Sequence, residues 1–418
     1  MLKAKSAVQG KIKNNPYLFI NLIFGFFPIS FVIGSLFVNA NLLLFCGLGI
    51  YYLRSKILTT KFDLPVKIIF LFFFIIFFST SLSFIKSLYL KEYEYYDLIK
   101  LVKSIAFFRF FLMLIIVYLL TEFGVLNFKY FFISAAFFPI LVSVDVIFQY
   151  FLGFDLIGIK AFHSSLGLEG SHIDAIPVGR YNTGFFGDEL IAGSYIKNFS
   201  FFSILFLAFK FKNKNYTRFI FTLLAICVLG LGILVSGNRV PLVLFLLGLL
   251  LVFLFNVNLK KIIPVSIISL FIIFYFIASA DPYRKHQFHD LYGNIKQVLI
   301  ALNKELIHKQ KYIIGVETED EKLKIKGNNI IADDFEFFWS EKNKGREGYV
   351  ALYLTAFDLW KENMIFGNGI KSFRKDCIKL HQHKDYRMCS NHPHNYYLEI
   401  LVESGIVGLL CVGSLALM

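Results

Sequence analysis

"SNHPHNYYLEILVESGIVGLL", Ser390–Leu410, passes from a polar stretch with two histidines into an apolar run that continues to Met418. A run of that length reads as a membrane-spanning helix, because hydrocarbon offers no partner to a backbone that does not bond itself. Pro393 suits the first turn of such a helix, with Asn391 or Ser390 as its cap. His394 then stands at the mouth of the span. Asn395, Glu399 and Glu403 recur at four-residue intervals and form one polar stripe, with Glu403 roughly 12 Å beyond Asn395 along the axis. A carboxyl at that depth has to face the bundle interior or a wet cavity. It is either part of a site or a hydrogen-bonding group between helices, and the stripe alone does not choose. Gly405 and Gly408 read as close-packing positions.

Nine further apolar segments precede this one, near 17–38, 40–53, 64–85, 101–120, 129–152, 190–209, 219–236, 240–256 and 262–280. Of the 418 residues 57% are hydrophobic and only 17% charged, where soluble proteins carry about a quarter. The chain therefore reads as an all-α integral membrane protein of about ten transmembrane helices, partnered by a lipid bilayer. The net charge of +14 does not point to nucleic acid. Its lysines and arginines gather in short loops: Arg54, Lys56 and Lys61; Lys210, Lys212, Lys214 and Arg218; Lys260 and Lys261. With the basic N-terminal arm, these place one face in the cytoplasm. The opposite face receives the long polar segment 281–395, whose length lets it cross regardless of charge. The expected division is a bundle of about nine spans at 1–280, a periplasmic loop domain at 281–395, and the last span at 396–418. The chain stops at Met418 just as a span finishes, which fits a C-terminal truncation. No cleavable signal peptide is evident.

Within the long segment, residues 346–364 read as an amphipathic helix, with Tyr349, Tyr353, Phe357 and Trp360 at three- and four-residue spacing. Gly367 and Gly369 then mark a turn. Cys377 and Cys389 suit a disulfide if this face is oxidising. Unpaired thiols are one alternative. A zinc site with His381, His383, His392 or His394 is another, although the spacings match no standard zinc pattern. No metal and no cofactor is expected.

The chain has nine arginines against 34 lysines. Arginine offers a planar, permanently charged fork that grips phosphate with two hydrogen bonds. Arg180, in "GRYNTGFFGDELIAG", and Arg239, in "SGNRVPLVLF", stand at outer ends of spans. The bland reading is that each snorkels to lipid headgroups. The sharper one is that both hold a charged leaving group, while a neutral His394 takes a proton from an attacking hydroxyl. His392 is the rival base, and Asn395 and Glu403 are supporting groups.

These motifs resemble the O-antigen ligase and polymerase superfamily. "HNYYLEILVESGIVG" resembles its His-Asn hallmark, and "GREGYVALYLTAFDLWKENMIFGNGIKSF", with Arg346, resembles the segment ahead of it. The two arginine motifs resemble the family's Arg-plus-glycine motif and Ser-Arg turn. The resemblance implies a GT-C-like enzyme of the bacterial inner membrane. It implies His394 as the catalytic histidine, with Arg180 and Arg239 on the diphosphate of an undecaprenyl-diphosphate-linked glycan donor. The acceptor is then lipid A-core in a ligase, or another lipid-linked repeat unit in a polymerase. A protein O-oligosaccharyltransferase and a non-catalytic lipid-glycan transporter are the remaining readings.

Overall fold

The computed structural model describes residues 16–54, 56–91, 95–158, 160, 162–163, 180–187, 189–256, 259–281, 348–381 and 389–418. Arg346, His383 and the 282–347 part of the long polar segment lie outside the described residues. In chain order the helices are α1 (Leu18–Gly25), α2 (Phe27–Ile33), α3 (Ser35–Leu53), α4 (Lys56–Thr59), α5 (Leu64–Tyr89), α6 (Tyr95–Glu122), α7 (Lys129–Leu152), α8 (Ala192–Lys210), α9 (Asn215–Val235), α10 (Arg239–Phe255), α11 (Ile262–Ala280), α12 (Gly348–Glu362), α13 (Ser372–His381) and α14 (Tyr396–Leu417). One two-residue strand pair, Phe162–His163 (β1) with Arg180–Tyr181 (β2), interrupts them.

Eight of the described helices are long and apolar enough to cross a membrane, and Arg239–Phe255 is a shorter apolar helix. The expected first span at 17–38 is not one helix. Pro28 offers no N–H to the carbonyl of Phe24, and the run divides into α1 and α2. Gly34, with φ 126°, ends α2, so α3 begins at Ser35 rather than near residue 40.

The chain forms two compact units that interleave in sequence, 1–49 with 123–314 and 50–122 with 315–418. Polarity alone draws consecutive segments instead. In the first unit α7, α8 and α9 pack on one another and α11 lies against α9. Val142, Val146, Ile196, Ile226, Leu229 and Ile233 are fully buried there. A Cβ at Gly232 of α9 would lie 2.7 Å from the Cβ of Ser143 on α7, so only glycine allows that approach.

In the second unit α5 packs against α6 and α14, and α12 and α13 pack on α14. The helix expected at 346–364 runs from Gly348 to Glu362. Its buried side is Leu352, Thr355, Ala356 and Leu359, while Phe357 is 41% exposed. Leu352, Ala356 and Leu359 share a core with Phe373, Cys377 and Val402, so α12, α13 and α14 are cemented by one apolar cluster.

Helix α14 is not continuous. Gly405 has φ 65° and ψ −165°, which ends one helical segment and starts another. It lies nine residues after Tyr396, about 14 Å along the axis. Non-helical backbone at such depth survives only when protein satisfies it. The 364–371 segment does so. Asn368 and Gly369 donate their N–H groups to the carbonyls of Val402 and Glu403, at 2.7 and 3.0 Å. The N–H groups of Ile406 and Val407 donate to the carbonyls of Met364 and Ile365, at 2.9 and 3.3 Å. From α5, the Ser79 hydroxyl donates to the carbonyls of Gly367 and Glu403, and Thr80 Oγ1 accepts from the Ile370 N–H. Gly405 and Gly367 are thus more than close-packing or turn residues. Both have positive φ, and a Cβ on Gly367 would sit 2.6 Å from the Gly405 nitrogen.

Candidate functional site

In the second unit the disulfide Cys377–Cys389, with Cα atoms 5.5 Å apart, ties α13 to the chain entering α14. Sulfurs joined in this way are not thiolate ligands, so the zinc alternative loses its two cysteines. Beyond Cys389 the backbone turns tightly. His394 has φ 54°, a left-handed conformation uncommon outside glycine and of a kind that recurs at sites of function. Its N–H donates to Nδ1 of His392 at 3.1 Å. The two rings meet edge to face with centroids 4.2 Å apart. Ser390 Oγ stands 3.5 Å from His394 Nε2. His394 is exposed. Partial burial, and then the charge of His392, push its imidazole below the usual range.

The helix cap differs from the expectation. Asn395, not Ser390 or Asn391, caps α14, and its Oδ1 accepts from the N–H groups of Tyr397 and Leu398 at 3.0 and 3.2 Å. Pro393 lies ahead of the helix. The Asn395 Oδ1 is therefore committed to the backbone, and the residue heads the stripe from outside the first turn. Glu403 reaches across the break: its Oε1 accepts the Lys371 N–H at 2.5 Å. Lys371 itself has φ 55°. Burial, then the charges of Lys103 and Arg374, lower its ammonium pKa, opposed by Glu403 and Glu399. Sequence reasoning passed over Lys371, because one lysine among 34 carries no signal.

The arginines belong to the first unit. Arg180 opens β2, paired in register with His163 of β1. Arg239 is the first residue of α10 and is half-exposed. Among the described residues no hydrogen bond or ion pair engages its guanidinium. A cation at a helix N-terminus faces the positive end of the dipole, so this placement concentrates positive potential rather than neutralising it. The two arginine segments are interlocked. Asn182 Nδ2 donates to the Val235 carbonyl at 2.7 Å, and Asn238 Nδ2 donates to the Leu190 carbonyl at 3.1 Å. Gly237, with φ 91°, makes the turn between α9 and α10.

Two wholly buried α7 side chains complete the clamp on the Arg180 segment, and the sequence reading missed both. Gln149 Oε1 accepts the Gly184 N–H at 2.9 Å, and Asp145 Oδ1 accepts the Leu156 N–H at 2.8 Å. The other Asp145 oxygen lies against Gly184, where a side chain would not fit. Two polar residues at four-residue spacing inside an apolar run were the available signal.

The pattern of the O-antigen ligase family matches residues 219–413, a stretch that holds the Ser236–Arg239 turn, the helix break and the His392–Asn395 turn. No curated protein and no solved structure matches the chain. Helices long and apolar enough to cross a membrane and this match over residues 219–413 together support a membrane glycosyltransferase of the ligase and polymerase type, within the O-antigen ligase superfamily.

Proposed function

We propose that the protein moves a glycan from undecaprenyl diphosphate to an acceptor hydroxyl on the periplasmic face of the bacterial inner membrane, as an O-antigen ligase acting on lipid A-core. The observation that carries the reading is the His392–Asn395 turn. It holds an exposed imidazole of lowered basicity at the mouth of a helix whose interior is braced by a second segment. Such an imidazole is neutral, and so able to accept a proton, over most of the periplasmic pH range.

His394 takes the proton of the acceptor hydroxyl as that oxygen bonds to the anomeric carbon of the donor. The bond from that carbon to the diphosphate oxygen breaks, and the electron pair leaves with the lipid diphosphate. Arg180 and Arg239 supply the cationic forks for that anion, and no metal takes part. Complementation tests the reading. Expression in a strain lacking its O-antigen ligase should restore capped lipopolysaccharide. Restoration only of a strain lacking its repeat-unit polymerase would overturn the assignment to lipid A-core.

A further inference from the structure

The second unit also holds a cavity of about 540 Å³ that none of the residues proposed for transfer lines. That volume suits a small-molecule site. Three walls matter. Along α5, Ser79, Ser83 and Ser87 line it at four-residue spacing; Ser79 and Ser87 already donate to backbone carbonyls and offer only acceptor lone pairs, while Ser83 is uncommitted among the described residues. At the start of α6, Lys100 is 3% exposed, and Asp97 Oδ1 faces both its ammonium at 3.8 Å and that of Lys375 at 2.9 Å. The third wall is the 362–368 segment, with the apolar Met364, Ile365 and Phe366.

The lining selects among ligands. Its charged side chains cancel: Lys86, Lys100 and Lys375 against Asp97, Glu362 and Asp376. A lone phosphate would meet three carboxylates, and an acyl chain would strand the serines and charges. A sugar hydroxyl both donates and accepts, so it needs donors and acceptors together, beside some apolar surface for the ring. Ser83 makes no hydrogen bond among the described residues, so its hydroxyl is available to such a ligand.

The cavity also lies on the proper side of its unit. Phe72 of α5 approaches Gly408, and Ser79 bonds to Glu403, so α5 runs antiparallel to α14. Ser83 and Ser87 therefore climb toward the end that carries His394. The segment that walls the cavity at Gly367 and Asn368 is the one that clamps the break in α14.

We propose that this cavity is a saccharide subsite, which takes a sugar residue of either the acceptor or the transferred glycan. The proposal deepens the function above and rests on it only for which substrate supplies the sugar. The test uses the full chain in nanodiscs and saturation-transfer NMR with glucose, galactose and N-acetylglucosamine, each as the free sugar. Inorganic phosphate, followed by phosphorus NMR line broadening, serves as control. At least one sugar should bind the parent and His394→Ala equally, and bind Ser83→Phe at least about tenfold more weakly. Ser87→Phe serves in its place if Ser83→Phe does not reach the membrane. Ser83→Ala, which leaves the space open, should retain most of the binding. No sugar binding to the parent, line broadening of phosphate alone, or full sugar binding in both phenylalanine variants would overturn the proposal. In transfer assays, a raised KM for acceptor assigns the sugar to the acceptor, and a raised KM for donor assigns it to the transferred glycan. A parent without transfer activity would sink the function while the NMR still judges the cavity.

Discussion

Replacing Gly405 by alanine isolates the energetic meaning of the break in α14. At φ 65° and ψ −165° the residue occupies a region that is essentially glycine's alone. An added Cβ there would run into the Ile365 carbonyl. Backbone strain costs of order 1–3 kcal/mol. Pushing residues 364–365 away weakens the bonds from Ile406 and Val407, and two hydrogen bonds at about 0.5–1.5 kcal/mol net add about 1–3 kcal/mol. The expected destabilisation is therefore about 2–6 kcal/mol. Gly413, in the same helix, is the internal control. Its Cβ would meet open space, so Gly413→Ala should stabilise by roughly 0.5–1 kcal/mol. The two variants are compared by SDS titration in mixed micelles, with glycan transfer measured beside it. If Gly405→Ala lies within about 0.5 kcal/mol of Gly413→Ala and keeps its activity, the helix is continuous and the bracing argument fails.

His394→Ala should lower transfer by about 10²–10⁴-fold with protein level unchanged, and a loss under about fivefold would make the residue structural. A base works when neutral, so the rate should rise with pH along a limb below the usual imidazole range. His392→Gln removes the second cause of that lowering and should move the limb toward higher pH; an unmoved limb would detach His394 from catalysis. Arg239→Lys should lose most activity, because the charge stays and the fork goes. Parent-like transfer in that variant would return Arg239 to headgroup snorkelling. Non-reduced peptide mapping should recover Cys377 joined to Cys389, and Cys377→Ser should cost roughly 2–4 kcal/mol; two free thiols in protein purified without reductant would refute the link. Reporter fusions at Lys212 and Lys260 should read cytoplasmic and those at Gly170 and Glu321 periplasmic, and a cytoplasmic signal at Glu321 would remove His394 from the proposed face.

What the sequence determined by itself is set by local and additive physics. Apolar runs long enough to span fix a helical membrane protein, since a backbone in hydrocarbon must bond itself. A helix near 348–362 followed from three- and four-residue spacing, although its buried side is Leu352, Ala356 and Leu359 rather than the aromatic stripe. The places of His394 and Arg239 at helix starts followed from where polar residues meet apolar runs. What only the tertiary structure decided depends on partners distant in sequence. Gly405 looks like any packing glycine until the 364–371 segment is laid across it, for the break is stable only because that backbone meets its freed groups. Asn395 wins the cap because the left-handed turn at His394 delivers it there, a conformation no propensity foretells. Asp145, Gln149 and Lys371 acquire their roles the same way. Asp145 and Gln149 accept from the backbone N–H groups of Leu156 and Gly184, bonds that burial makes obligatory, and the Lys371 N–H donates to the Glu403 carboxylate 32 residues away.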